Sequence, residues 1–131
     1  MATVLLYNFT DRDRLMKLKF LLYKLGITGR EVAAAELEAP IGALLGLAGY
    51  ETAGNYAGPG FAEEMLVMHA LSKPQFSALL DGLRQAGVTV SLKAVVTDTN
   101  AAWDSLRLHR ELSAEHAAMS RMKKSVHKSK R

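Results

Sequence analysis

The residues with the most chemistry per unit length are Thr97-Asp-Thr-Asn100 and the Trp103 that follows. A strand end that feeds a helix N-terminus offers free backbone N–H groups and a positive dipole end, which suit an anion. Lys93 has the same strand parity as Thr97 and would bring a positive charge to the same side. Lys93, Thr97, Asn100 and Trp103 are therefore the candidate ligand-binding residues. A structural role weighs more heavily for the same group, with Asn100 or Thr99 as a helix cap and Trp103 as a core anchor.

Gly42, Gly46 and Gly49 are spaced i, i+4 and i+7. On a helix that spacing makes a flat face for close packing against a sheet or a partner, so these three are the candidate interface residues. The series lacks the Gly-Lys-Ser/Thr ending of a phosphate loop. The following stretch, Gly54-Asn-Tyr-Ala-Gly-Pro-Gly60, is long enough to be a functional loop or an irregular excursion.

The four histidines, His69, His109, His116 and His127, show no metal-ligand spacing. His109 and His116 are two helical turns apart and could not share an ion on a straight helix. Glu111 and Glu115 read as solvated charges. His69, on a strand with apolar neighbours, is the histidine most expected to be buried. The serines form no nucleophile elbow, and no pair of catalytic carboxylates stands out. No catalytic residue, metal or cofactor is assigned from the sequence.

These residues must be positioned by a chain of 131 residues, enough for one domain with its own core. There are no cysteines, which excludes disulfides and thiolate metal sites. The net charge of +4 is unevenly placed. Residues 121–131 contribute +6 and no acid, which leaves −2 for the first 120 residues. The expected organisation is one α/β domain over 1–120 and a basic, disordered tail over 121–131. The tail offers weak, salt-sensitive contact with nucleic acid or an acidic surface. The longest apolar run, Ile41 to Tyr50, is about half of the roughly 20 residues that cross a membrane. No basic segment opens a signal peptide. A cytoplasmic location is the expectation.

Residues 3–9 and 64–71 read as strands apolar on both faces, hence central. Helices follow each, over about 11–25 and 73–86. Ser72-Lys-Pro-Gln75 has the form of a capping box. Gly26 and Gly87 sit where left-handed C-terminal caps belong. A weak second strand falls at about 30–37. A fourth, 88–97, alternates apolar and polar residues, and a last helix runs over about 101–122. Between 39 and 62 lie six of the ten glycines, so a short helix and an exposed loop are expected there. Apart from a loose βαβ duplication, no repeat is evident. Two βαβ halves with central first and third strands predict a ferredoxin-like split βαβ sandwich, with helices on one face of an antiparallel sheet. A parallel, doubly wound sheet is the alternative.

Four segments resemble a small bacterial family known only as a domain of unknown function: Leu18-Lys-Phe-Leu-Leu22, Pro40-Ile-Gly42, Glu64-Met-Leu-Val67, and Leu92-Lys-Ala-Val-Val-Thr-Asp-Thr-Asn-Ala-Ala-Trp103. The resemblance implies a bacterial cytosolic protein without established activity, and it supplies no catalytic residues. The leading functional expectation is a non-enzymatic ligand-binding or regulatory module for a small molecule or anion. A homo-oligomeric interaction module comes second, and an enzyme with dispersed site residues third.

Overall fold

In the computed structural model, two strand–helix–strand units are joined at their first strands. The first unit is β1 (Thr3–Tyr7), α1 (Arg12–Lys24), β2 (Thr28–Glu31), a 3-10 turn at Ala34–Glu36 and the single-turn helix α2 (Ile41–Leu44). The second is β3 (Met65–His69), α3 (Lys73–Gln85), β4 (Leu92–Val95), a 3-10 turn at Asn100–Ala102 and α4 (Ser105–Ser129). The structure describes residues 1–129, with side-chain surroundings through Met122. Of the 121–131 tail expected to be disordered, residues 121–129 continue α4, and residues 130–131 lie outside the described residues.

The sheet order is β2-β1-β3-β4. The outer pairs, β1–β2 and β3–β4, are parallel, and the central pair β1–β3 is antiparallel. The α/β class and the central position of the first and third strands agree with the sequence. The split βαβ arrangement does not hold. Each crossover helix returns its second strand directly beside its first, so the sheet is mixed rather than antiparallel. The all-parallel alternative fails at the β1–β3 pair. A parallel crossover between the units would need a sheet-spanning helix, and α2 is only one turn long.

The antiparallel register pairs Thr3 with His69, Leu5 with Val67 and Tyr7 with Met65. A pseudo-twofold axis therefore passes between Leu5 and Val67. It relates Leu18 to Leu79, Leu22 to Leu83, Gly26 to Gly87 and Ile27 to Val88. Both helices end in a Schellman motif. Ile27 N–H donates to Leu22 C=O and Val88 N–H to Leu83 C=O, each at 2.9 Å, and Gly26 and Gly87 both have φ of +72°. Asn8 and Ala70, which leave β1 and β3, both have positive φ. Near the axis α1 crosses α3, and a Cβ on Gly82 would lie 2.6 Å from Leu21 Cδ1. Glycine there sets how closely the helices approach.

Two apolar layers lie on the sheet. Leu18, Leu22, Leu79 and Leu83 cover Val4, Leu6, Leu66 and Met68 on one face. Leu37, Ile41, Leu44 and Leu108 cover Leu5, Tyr7, Met65 and Val67 on the other. Helices on one face only is therefore corrected. The excursion and α4 close the second face, which is why the central strands are apolar on both sides.

Some local expectations hold and others shift. Asp11 is the cap of α1, accepting from Asp13 and Arg14 N–H at 2.9 and 3.2 Å. The second strand lies earlier than expected, and its Ala-rich sequel forms the first 3-10 turn. Val88 and Val90 are buried but precede β4 without a ladder. The capping box forms as read, with Gln75 N–H donating to Ser72 Oγ at 3.2 Å and Ser72 N–H to Gln75 Oε1 at 2.9 Å. Gln75 Nε2 also donates to Leu25 C=O at 3.0 Å, tying the start of α3 to the end of α1. Ser72→Ala should cost about 1 kcal/mol in urea denaturation, and Gln75→Ala more than a solvent-exposed glutamine would.

Candidate functional site

Thr97 and Asn100 close one turn reciprocally. Thr97 N–H donates to Asn100 Oδ1 at 2.8 Å, and Asn100 N–H to Thr97 Oγ1 at 3.1 Å. Asn100 Nδ2 donates to Val95 C=O at 3.1 Å. Trp103 packs on the second apolar layer. The Arg107 guanidinium lies 4.3 Å from its ring centroid. The Trp103 carbonyl accepts from Ile41 N–H at 2.8 Å, which fastens the join to α2. Lys93 points to the opposite face of the sheet. Its Nζ donates to Val90 C=O, and it lines a shallow groove with Leu80, Arg84 and Thr89. Thr97, Asn100 and Trp103 thus cluster, and Lys93 stands apart from them.

Gly42, Gly46 and Gly49 do not share a helical face. Only Gly42 lies in α2, where a Cβ would collide with the Tyr50 ring. Gly46 and Gly49 have φ of +74° and +91° and turn the chain beyond the helix. The i, i+4, i+7 argument fails because the helix stops at Leu44. The glycine-rich loop is pinned rather than free. Tyr56 N–H donates to Ala35 C=O at 3.1 Å and Tyr56 Oη to Pro59 C=O at 2.6 Å.

The groups that converge are ones the sequence did not single out. Phe61 stacks on His109, with ring centroids 3.9 Å apart and planes 11° apart. His109 Nε2 lies 3.0 Å from Glu63 Oε1. A carboxylate only accepts, so Nε2 carries the proton and donates it. Asn8, in its left-handed conformation, donates through Nδ2 to the carbonyls of Phe61 and Glu63 at 2.8 and 2.9 Å. These bonds hold the end of the loop against α4. The His109 side chain is 16% exposed, while the β3 histidine, His69, is half-buried.

Beside this anchor is a cleft of about 410 Å³. Glu63 and Glu64 line it just before β3, Thr89, Ser91 and Leu92 at the start of β4, and Ser113 and His116 from α4. Its volume lies within the range of small-molecule sites. Arg14 neutralises Glu64 through two bonds, Nε to Oε2 at 3.0 Å and Nη2 to Oε1 at 2.5 Å, and also donates to Thr89 C=O at 2.8 Å. Arg14 thereby ties the two walls together. Glu63 has no permanent cation as partner among the described residues. A backbone N–H and the His109 ring N–H hold its carboxyl below the usual range, so it is ionised at neutral pH.

Ser113 Oγ lies 3.4 Å from His109 Nε2, the same nitrogen that donates to Glu63. A serine nucleophile needs one ring nitrogen as base and the other held by the carboxylate. Here a single nitrogen meets both, so Ser113, His109 and Glu63 do not form a relay. Among the described residues no three His, Asp or Glu side chains group closely enough to hold a metal ion, and no helix is long and apolar enough to cross a membrane.

The residues that line the cleft come from the second unit and the two residues before it. The cleft's wall is α4, whose counterpart α2 in the first unit is a single turn. Residues 64–119 match the model of a family described as Domain of unknown function (DUF3783). The match runs from Glu64 in the cleft through β3, α3, β4 and the cleft-lining part of α4. It includes the Glu64–Val67 and Leu92–Trp103 segments of the resemblance. The Leu18–Leu22 and Pro40–Gly42 segments lie outside it. No curated protein matches the chain.

Proposed function

We propose that the chain is a ligand-binding module, that its site is the cleft between α4 and residues 63–64 and 89–92, and that the ligand is a small molecule with an ammonium group. The observation that carries this reading is the charge of the lining. Among the described residues it holds two carboxylates, the His116 ring and no lysine or arginine, and Arg14 neutralises only one of the carboxylates. Glu63 offers a fixed negative charge, and Ser91, Thr89 and Ser113 offer hydroxyls for the remaining polar groups. Val90, Leu92 and Ala117 supply the apolar part of the wall. A charge-assisted bond from an ammonium to Glu63 is worth about 1.5–3 kcal/mol.

Isothermal titration with a panel of short diamines and amino alcohols tests the reading. At least one should bind, and Glu63→Gln should weaken that binding about tenfold or more while leaving the fold intact. Unchanged affinity in the variant, or no heat from any member of the panel, would contradict it.

Lys93 and Arg84 together favour a second reading, since both line the smaller groove of about 170 Å³. A small anion would sit there. Inorganic phosphate is its probe, and Lys93→Ala is the variant that should lose binding.

A further inference from the structure

The pseudo-twofold axis provides an internal control for the outer faces of the helices. In α3 the positions equivalent to Met16, Phe20 and Tyr23 of α1 are Ser77, Asp81 and Arg84. Asp81 and Arg84 form an ion pair at 2.6 Å, an ordinary solvated surface. The same positions of α1 are 67%, 65% and 83% exposed. The fold therefore does not require apolar residues there. Met16, Phe20 and Tyr23 lie at i, i+4 and i+7, so they form one stripe on the helix face turned away from the core. A single exposed apolar residue needs no explanation, but a contiguous stripe of three marks an interaction surface.

We infer that this stripe binds the same stripe of a second copy of the chain, with the two α1 helices antiparallel about a twofold axis. Antiparallel pairing centred near Phe20 sets Met16 of one copy against the ring of Tyr23 in the other, a favourable thioether–aromatic contact. The two Phe20 rings meet near the axis. The charges beside the stripe complement each other in that arrangement. Asp13 lies at its N-terminal end and is 79% exposed. Lys24 lies at its C-terminal end, over the Phe20 ring at 5.5 Å, and forms no ion pair among the described residues. A twofold brings Asp13 of each copy beside Lys24 of the other. Asp13 also pairs with Lys17 at 3.2 Å, so in the dimer its carboxylate would bridge Lys17 and the other copy's Lys24, and Lys19 pairs with Glu31 at 2.8 Å. The charges of Lys17 and Lys19 therefore oppose the contact less than their number suggests.

Three side chains of this size with their flanks cover roughly 400–600 Å² per copy. That is below the roughly 800 Å² per partner of a standard stable interface. The dimer is accordingly weak and concentration-dependent, and it is isologous, so it closes at two copies.

Sedimentation velocity of the full chain from about 5 µM to about 500 µM should show a shift from monomer towards dimer. Phe20→Asp should remove that shift with no change in melting temperature, since the side chain is exposed. Asp13→Lys and Lys24→Asp should each weaken dimerisation several-fold, and the double variant should restore it. This charge exchange keeps the test decisive should Phe20→Asp fold poorly. A chain that stays monomeric throughout the range would overturn the inference. So would a double variant that fails to recover, or Phe20-dependent co-sedimentation of monomer with phosphatidylserine–phosphatidylcholine vesicles.

Discussion

Leu66→Ala is expected to cost about 3 kcal/mol, and Met65→Ala a similar amount, although the two side chains point to opposite faces of β3. Both residues are fully buried. Leu66 packs with Leu18 and Leu79 under α1 and α3, whereas Met65 packs with Ile41 and Leu108 under α2 and α4. Truncating a buried Leu or Met to Ala typically costs about 2–5 kcal/mol, as lost transfer energy plus the cavity left behind. The paired comparison tests the layering. A sheet with helices on one face only would leave one of the two near the surface, and that variant would cost little. Equilibrium urea denaturation of each variant, with unchanged slope, measures the difference. Equal and large losses are predicted, because β1 and β3 are a wall shared by two cores.

The second large effect is set by pH. Tyr7 is buried, and its hydroxyl lies 2.7 Å from Ser105 Oγ, itself fully buried. Desolvation by burial pushes the Tyr7 phenol from an ordinary 10.0 up to about 12, against a smaller lowering by the Ser105 hydrogen bond. The folded value lies above the unfolded one. The stability this contributes is complete below about pH 10 and is lost as pH rises towards 12. At roughly 1.4 kcal/mol per unit the loss is about 2–3 kcal/mol. Tyr7→Phe should not show this loss. It strands the Ser105 hydroxyl, which costs about 1–2 kcal/mol at neutral pH, but it has no phenol to ionise. The stability curves of the two proteins should therefore converge between pH 10 and 12. A constant gap between them over that interval would count against the burial of the Tyr7 hydroxyl as the cause.

The features legible in the sequence are those set by neighbours along the chain. The Ser72–Gln75 capping box and the Gly26 and Gly87 caps rest on residues within one turn of a helix end. The central position of β1 and β3 was legible because both faces of Val4–Tyr7 and Met65–Met68 are apolar. Strand direction was not, since the same apolar pattern serves a parallel and an antiparallel neighbour alike. Direction here depends on how far the excursion carries the chain. The start of β4 was misplaced because Val88 and Val90 alternate with Thr89 and Ser91 as a strand would. Their burial comes from α3 rather than from a ladder. The series Gly42, Gly46, Gly49 misled because its spacing presumes a helix that ends at Leu44.

The site was less legible than the fold. Thr97 and Asn100 carried a local signal, and the structure accounts for it as mutual capping of one turn. Glu63 and His109 are 46 residues apart in sequence, and Tyr7 and Ser105 are 98 apart. No spacing rule links such pairs, because the sheet and α4 bring them together. The duplication was visible only loosely, since its two halves share shape at Leu18 and Leu79 or at Gly26 and Gly87 rather than a continuous run of identities. Matched by their place in the sheet, the halves differ. The second has a long α4 and a cleft, and the first has a one-turn α2 and an apolar outer stripe on α1.

Backbone amide chemical shifts, followed during titration with the tightest-binding amine of the panel, show residue by residue whether the ligand sits in the α4 cleft. Saturating shifts are expected at Glu63, Glu64, Thr89, Ser91, Leu92, Ser113 and His116, and in Glu63→Gln they should need about tenfold more amine or fail to saturate. Shifts confined to Thr97–Trp103 or to the Lys93 groove, or a spectrum unchanged at saturation, would contradict it.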